Sequence, residues 1–169
     1  MTTSFCFTIN NYTEKDLEAI HNIQIPYAVL YGKEVGAQGT PHLQGIIWRM
    51  PLTFDDDEEV PRLRRDRTEK MLGGRAYLEP TKVQHLALAY CCKELDVYTN
   101  IVKPEDLPQF QAVVKTLFSV STCRDFIGNC LENILFNYCP SFYKQNLDMY
   151  SQSGWVETCL DTHKHFHKC

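Results

Sequence analysis

Two short stretches of the sequence carry side chains whose types and spacing suit chemistry on a phosphate group. His42 and Gln44 are two residues apart in a strand-like segment, so they project from the same face. Glu34 lies near the end of the preceding strand-like segment, and a hairpin would fold it back beside them. One carboxylate, one imidazole and one amide oxygen leave coordination positions open, which suits Mg²⁺ or Mn²⁺ better than a closed zinc site. A polar strand face in water is the alternative interpretation.

Tyr90 and Lys93 form the second candidate set. They are three residues apart in a helix-like segment, so the hydroxyl and the ammonium can reach one ligand. A tyrosine hydroxyl ordinarily has a pKa of about 10 and is a poor nucleophile until its oxyanion is stabilised. A metal ion that polarises the target phosphate, with Lys93 holding that phosphate or stabilising the oxyanion, would meet this need. For these two residues alone, an ordinary amphipathic helix pair is the alternative.

The first hundred residues predict an α+β sandwich that could position both sets. The segment order is strand, helix, strand, strand, helix, strand, helix, which is typical of an antiparallel sheet with flanking helices. Thr13, followed three residues later by Asp16, indicates the start of the first helix, and Thr81 is a candidate cap for the last. The predicted strands cover residues 5–9, 27–31, 42–50 and 75–79, and the predicted helices cover residues 14–23, 62–72 and 82–94.

Beyond Pro104 and Pro108 the apolar residues recur at helical spacing. Two stripes follow each other, one from Phe110 to Phe118 and one from Phe126 to Leu135, and Pro140 begins a third, shorter helix that ends near residue 150. Periodicity is lost after residue 151. We therefore expect three parts: an α+β domain over residues 1–103, a short all-helical segment over 104–150 and a flexible tail over 151–169.

The composition excludes several classes of protein. The chain has 169 residues, with 17 Lys and Arg against 21 Asp and Glu, so it is not a polycation that coats nucleic acid by charge alone. The sequence has neither an apolar run of membrane-spanning length nor a secretory signal at its start. Eight cysteines without a C-x-x-C pair indicate reduced thiols in an intracellular protein rather than a disulfide scaffold.

Four strings, in this order, resemble the rolling-circle motifs of a known family. They are residues 5–12 (FCFTINNY), residues 39–45 (GTPHLQG) downstream of Glu34, residues 74–79 (GRAYLE) and residues 89–94 (AYCCKE). The sequence is similar to the replication initiator (Rep) proteins of circular single-stranded DNA viruses, above all circoviruses, which belong to the HUH endonuclease superfamily. The resemblance covers residues 4–103 well and 104–150 loosely.

The resemblance implies an activity and a site. Glu34, His42 and Gln44 would bind Mg²⁺ or Mn²⁺, Tyr90 would be the nucleophile and Lys93 its helper. The protein would be a metal-dependent endonuclease and strand transferase that nicks an origin stem-loop in single-stranded DNA. The step leaves a 5′-phosphotyrosine and a free 3′-OH, and its reversal joins ends.

The family motifs also suggest residues that contact DNA. In the family, the first motif shapes the surface that holds single-stranded origin DNA, and Arg75 lies in another matching segment. Phe7 could stack on an unpaired base, although a phenylalanine in a first strand is more often a core residue. The residues expected to contact DNA are Phe7, Thr8, Asn10, Asn11 and Arg75. A separate cluster, Arg62, Arg64, Arg65 and Arg67, could contact DNA, serve nuclear import or form a solvated helix.

The sequence departs from full-length Rep proteins after residue 150. The string G-x-x-x-x-G-K-[ST] is absent, so we expect no nucleotide cofactor and a truncated form without the helicase domain. Residues 104–150 resemble the helical linker or oligomerisation segment, whose partner would be a full-length Rep or a second copy of this chain. The expected location is the host nucleus. The histidine- and cysteine-containing tail from His163 to Cys169 is more typical of a mobile tail than of a zinc site.

Two other functions stay open at this point. A non-catalytic regulator or repressor could occupy the origin with the same sheet, although it would need neither a nucleophile nor a metal site. An RNA-recognition domain shares the predicted layout but should show aromatic pairs on its central strands, which the sequence lacks.

Overall fold

The computed structural model describes residues 4–50 and 61–135. The strands are β1 (Ser4–Asn10), β2 (Tyr27–Val35), β3 (Pro41–Arg49), β4 (Tyr77–Pro80) and β5 (Val97–Thr99). They form an antiparallel sheet in the order β4-β1-β3-β2-β5, with helices on both faces, so the predicted α+β class is confirmed. The helices are α1 (Glu14–His21), α2 (Arg65–Met71), α3 (Gln84–Cys91), α4 (Leu107–Val120) and α5 (Arg124–Leu135).

Alternation along the strands gives the sheet an apolar layer on each face. Phe5, Phe7 and Ile9 of β1 point to one side, where they pack in a buried cluster with residues of α1 and α2. Leu30 of β2 and Ile46 of β3 point to the other side and share a second cluster with α3, α4 and α5. The candidate site lies on this second face, at the end where α3 meets the strands.

Helices α4 and α5 belong to the packing of this second face. Phe110, Val114 and Leu117 of α4, and Phe126 and Leu131 of α5, are at most 2 % exposed and share the cluster that contains the apolar side chains of α3. The predicted helical stripes are thus confirmed over these residues. The division of the chain at residue 103 stays a prediction, and the helix predicted over 140–150 and the tail lie outside the described residues.

Most predicted elements are present, with two differences. Strand β5, of three residues, was not predicted, because so short a segment carries no periodic signal. The helix predicted from residue 82 begins at Gln84 with Val83 as its N-cap. Thr81 is not the cap, because its backbone N–H donates to the Ser4 carbonyl at 3.1 Å and its hydroxyl contacts the Cys6 sulfur at 3.4 Å.

The prediction of reduced thiols is correct for part of the chain. Cys6, Cys91 and Cys92 are free, whereas Cys123 is disulfide-bonded, so the prediction was wrong for Cys123. Burial raises the pKa of Cys92 to about 12, which makes this thiol a core residue rather than a nucleophile. Within residues 4–50 and 61–135, none of the helices has the length and apolar character needed to cross a membrane.

Candidate active site

The β2–β3 hairpin brings two of the candidate metal ligands together. Glu34 and His42 are directly paired across the two strands, so their side chains project from the same face. The turn closes through the Gly36 N–H, which donates to the Thr40 carbonyl at 2.9 Å, and Gly39 adopts the left-handed φ of 83° that favours glycine. As a result, Nε2 of His42 lies 3.2 Å from Oε2 of Glu34.

Glu34 is a buried carboxylate held between two cationic or potentially cationic groups. Its side chain is 4 % exposed. The Lys93 ammonium donates to Oε1, while Oε2 accepts no hydrogen bond from the described residues. A buried carboxylate oxygen without a donor is costly, so a hydrogen-bond donor or a cation beside this atom would stabilise it.

The geometry of the Glu34–His42 pair fits a divalent cation. His42 Nδ1 lies 3.4 Å from the Thr40 carbonyl, which can only accept, so this contact is a hydrogen bond in the tautomer with the proton on Nδ1. In a neutral ring Nε2 then presents a lone pair to Oε2, and these two atoms attract each other only through a proton or a metal ion between them. Adjacent ligands of an octahedral Mg²⁺ lie about 3.0 Å apart, close to the spacing of this pair.

Gln44 lies on the same face, two residue pairs further along the hairpin. Its side-chain oxygen accepts a hydrogen bond from the Thr8 hydroxyl of β1 at 3.1 Å, which leaves that oxygen a second lone pair. Among the described residues no group of three His, Cys, Asp or Glu side chains could hold a metal ion, so a third protein ligand here would be another oxygen donor, and the amide of Gln44 is one on this face. The structure therefore gives Thr8 a contact that orients Gln44.

Gly32 allows α3 to approach these ligands, and sequence reasoning missed it. Gly32 is paired with Gln44 across the strands, and a Cβ at Gly32 would lie 2.0 Å from the Cys91 carbonyl oxygen. Only a residue without a side chain lets the C-terminal end of α3 lie so close to β2. The predicted strand ended at residue 31, one residue before Gly32, and the sequence does not reveal which backbone approaches this glycine.

Tyr90 and Lys93 meet at this end of α3. Tyr90 lies in the last turn of the helix and is 51 % exposed, whereas Lys93 lies two residues beyond the end of α3 rather than inside the predicted helix. The Lys93 ammonium nevertheless lies 3.6 Å from the centre of the Tyr90 ring and also contacts Glu34. Burial lowers the pKa of Lys93; Glu94 opposes this shift and Arg124 adds to it. Lys93 thus connects the tyrosine to the candidate metal ligands.

An open groove with a volume of about 700 Å³ lies beside the candidate nucleophile Tyr90. Gln44 and Tyr90 line it, as do Glu79 and Pro80 of β4, and Val83 and Leu86 at the start of α3 form an apolar part of its wall. Val83 is 44 % exposed and Leu86 is 38 % exposed. The groove is therefore accessible and mainly apolar, and the candidate nucleophile Tyr90 lies in its wall.

The structure corrects the expectation for Phe7. Its side chain is 1 % exposed and lies in the cluster between the sheet and helices α1 and α2, on the face opposite Tyr90. A Cβ at Gly45 would lie 2.2 Å from the Phe7 ring, which shows how tightly the ring is enclosed. Phe7 is a core residue and cannot stack on a base, because the apolar alternation of β1 places it inward.

Asn10, Asn11 and Arg75 lie together at the end of β1. Arg75 donates to both carboxylate oxygens of Asp16 at 2.8 to 3.2 Å, and its Nη2 donates to the carbonyls of Asn10 and Asn11 at 3.0 and 2.7 Å. The Arg75 guanidinium lowers the pKa of the Asp16 carboxyl. Asn10 and Asn11 are exposed, and Asn11 has a φ of 51°. Arg75 thus orders this turn, and contact of the three residues with DNA stays a prediction.

The fold and the site define a class of protein: an antiparallel α+β domain with a carboxylate, an imidazole and an amide on one sheet face, beside a tyrosine and a lysine at a helix end. A family model described as "Putative viral replication protein" matches residues 2–94, which is more than half of the chain and includes all five of these residues. The chain belongs to this family of viral replication proteins.

Three proteins called replication-associated protein are similar to this chain. That of pigeon circovirus is 33 % identical over 132 residues, which cover 72 % of this chain and 38 % of the relative. That of canary circovirus is 36 % identical over 104 residues, covering 59 % and 32 %, and that of beak and feather disease virus is 34 % identical over 101 residues, covering 57 % and 31 %. The predicted similarity to circovirus Rep proteins is confirmed, and the matches span about a third of each relative.

Proposed function

We propose that this protein initiates rolling-circle replication by cutting and rejoining single-stranded origin DNA through Tyr90. One observation carries the proposal: Lys93 contacts both the buried carboxylate of Glu34 and the ring of the exposed Tyr90. A tyrosine in a purely structural role needs no such neighbours. The family membership supports the proposal, because the similar circovirus proteins are named replication-associated.

Glu34, His42 and Gln44 would hold Mg²⁺ or Mn²⁺ in this proposal. The oxygen and nitrogen donors suit these ions, and the unpaired Oε2 of Glu34 is the atom that most needs a cation. When bound, the ion would polarise the scissile phosphate as a Lewis acid. Thr8 would keep the amide oxygen of Gln44 in place through its hydroxyl.

The chemical step would be a displacement at phosphorus. The Tyr90 oxygen forms a bond to the phosphorus and loses its proton, while the bond from phosphorus to the 3′ oxygen breaks. The leaving oxygen keeps the electron pair and takes up a proton, giving a free 3′-OH and a 5′-phosphotyrosine. The Lys93 ammonium over the ring would stabilise the negative phenolic oxygen, and attack by a 3′-OH on the phosphotyrosine would rejoin the strand.

The substrate would reach Tyr90 along the groove. Its apolar wall at Val83 and Leu86 suits unpaired bases, whose faces would be buried inside a duplex. The chain carries a net charge of −4, so binding would depend on this local surface rather than on general attraction to nucleic acid. The expected nuclear location and the expected partner of residues 104–150 stay predictions.

The experiment is to incubate the protein with labelled stem-loop DNAs and Mn²⁺ and to run a denaturing gel. We expect a covalent protein–DNA band with the wild-type chain and none with Tyr90→Phe, which keeps the ring over which Lys93 lies. Omitting the metal should also remove the band. Binding of the stem-loops without any covalent band would contradict the proposal and favour a non-catalytic origin-binding regulator.

A further inference from the structure

Helix α5 packs directly on α3, the short helix that carries Tyr90. Gly128 in α5 faces the N-terminal turn of α3 so closely that a Cβ there would lie 2.1 Å from the His85 carbonyl oxygen. Around this point Ile127 and Leu131 of α5 and Leu88 of α3 are buried in one cluster. The two helices therefore meet backbone against backbone, without room for a further methyl group at the crossing.

Two polar contacts add to this packing, one turn apart along α3. Nε2 of His85 lies 2.9 Å from Oδ1 of Asp125. Arg124 donates from Nη1 to the carbonyl of Ala89 at 3.3 Å, and Ala89 is the residue before Tyr90. The arginine also places a positive charge at the C-terminal end of α3, where the helix dipole favours it. The guanidinium lies 5.5 Å from the centre of the Phe118 ring of α4.

Helix α3 is held between the sheet and α5. On the sheet side, Gly32 has no side chain to block the close approach of the Cys91 carbonyl. On the other side, Gly128 has none to block the close approach of the His85 carbonyl. An eight-residue helix is not stable on its own, so these two neighbours determine its position. Tyr90 is half exposed, and the position of its side chain depends on that of α3.

We propose that α5 is a positioning element for the nucleophile. Gly128 holds the N-terminal turn of α3 and Arg124 holds its Tyr90 end, and together they fix the helix beside the candidate metal ligands. The inference rests on the proposed function. It assigns to residues 124–135 a role inside the nuclease site, in addition to any contact they make with another chain. Neither residue touches the substrate, and both act through α3.

The first test measures the position of α3 without DNA or metal. Amide hydrogen exchange is followed in the full chain for wild type, Gly128→Val, Arg124→Ala and the control Lys115→Ala, whose side chain is exposed on α4. We expect exchange within residues 84–93 to rise at least tenfold in Gly128→Val and less in Arg124→Ala, with no change in the control. Arg124 is exposed, so its variant keeps the test valid if Gly128→Val does not fold. Unchanged exchange in Arg124→Ala and in any folded Gly128→Val would overturn the inference.

The second test separates positioning from general loss of structure. The rate of covalent adduct formation at saturating stem-loop DNA is compared with the dissociation constant of the same DNA. We expect Arg124→Ala to lower the rate on the order of tenfold to a hundredfold, as displaced catalytic groups do, with the dissociation constant unchanged. The inference would be overturned if Arg124→Ala formed the adduct at the same rate as Lys115→Ala. It would also be overturned if weaker DNA binding explained the lower rate of adduct formation. If hydrogen exchange rises in the variants but the wild-type chain forms no adduct, the packing of α5 on α3 is supported and the proposed function fails.

Discussion

Glu34 is the residue on which the site depends, because its carboxylate is buried and shared. One oxygen accepts from Lys93 and the other faces His42, with 4 % of the side chain exposed. Removing the Lys93 ammonium would leave a negative charge in a poorly solvated place, and breaking such a pair costs more than the pair itself contributes. The same pair therefore links stability to the chemistry proposed for the site.

We predict that Lys93→Met destabilises the metal-free protein by about 2 kcal/mol, since it leaves Glu34 without its ammonium partner. The free energy of unfolding is measured in urea with a chelator present. The matched control is the double variant Lys93→Met with Glu34→Gln, which removes the unpaired charge and should recover part of the loss. This account would be contradicted if the double variant lost more free energy of unfolding than the two single variants lose when their losses are added.

The Asp16–Arg75 pair gives a pH dependence whose sign follows from the structure. Arg75 lowers the pKa of Asp16 in the folded protein below its unfolded value of about 3.9, so the pair stabilises the fold above that pH and ceases to do so as the carboxyl protonates. We predict that Arg75→Met lowers the free energy of unfolding at pH 7 and that its difference from wild type shrinks below about pH 4. The control is Arg67→Met, whose difference from wild type should not vary with pH. A constant difference for Arg75→Met would contradict the assigned role.

At the scale of the elements, α3 is the part of the fold that joins the sheet to the nucleophile. It lies against β2 on one side and α5 on the other, and each crossing occurs at a glycine. A helix held at two such points has little freedom to move without disturbing the core. The position of Tyr90 is therefore set by tertiary packing and not by the residues next to it in the chain.

We predict that Gly32→Ala destabilises the protein by about 2 kcal/mol, because the new Cβ would overlap the Cys91 carbonyl and force α3 away from β2. The same variant should lose covalent adduct formation more than it loses DNA binding. Gly36→Ala is the matched control, since its Cβ would make only an ordinary contact at 3.6 Å. Equal stability and equal adduct formation in the two variants would show that the close approach of α3 to β2 at Gly32 matters for neither.

At the scale of the whole molecule, the helices after residue 103 complete the apolar layer that also contains α3. The prediction of a nuclease domain that ends at residue 103 can be tested directly. We expect a fragment of residues 1–103 to lose at least about 3 kcal/mol of stability relative to the full chain, since each large apolar side chain that loses its burial is worth about 1.5–3 kcal/mol. Thermal unfolding and binding of an apolar dye measure this. A fragment as stable as the full chain would confirm the predicted boundary.

The parts that sequence could predict are those encoded locally. Strand alternation and the glycines of the turn were enough to pair Glu34 with His42, and helical spacing was enough to bring Lys93 to Tyr90 although the helix ends earlier than predicted. The alternation of β1 also indicates that Phe7 points inward. The expectation that Phe7 contacts DNA disagreed with this pattern. Contacts between distant segments, such as α5 on α3 or the approach of α3 to Gly32, leave no periodic signal in one sequence.

The central claim is that Tyr90 forms the covalent bond to DNA, and peptide mapping by mass spectrometry tests it most directly. The full chain is incubated with a stem-loop DNA and Mn²⁺, digested with protease and nuclease, and searched for tyrosine peptides that carry a 5′-linked nucleotide. The account predicts the linkage at Tyr90 and none at Tyr77, a tyrosine of β4 that is 65 % exposed and is paired with Thr8. Linkage at Tyr77 or at another residue, with Tyr90 unmodified, would contradict it.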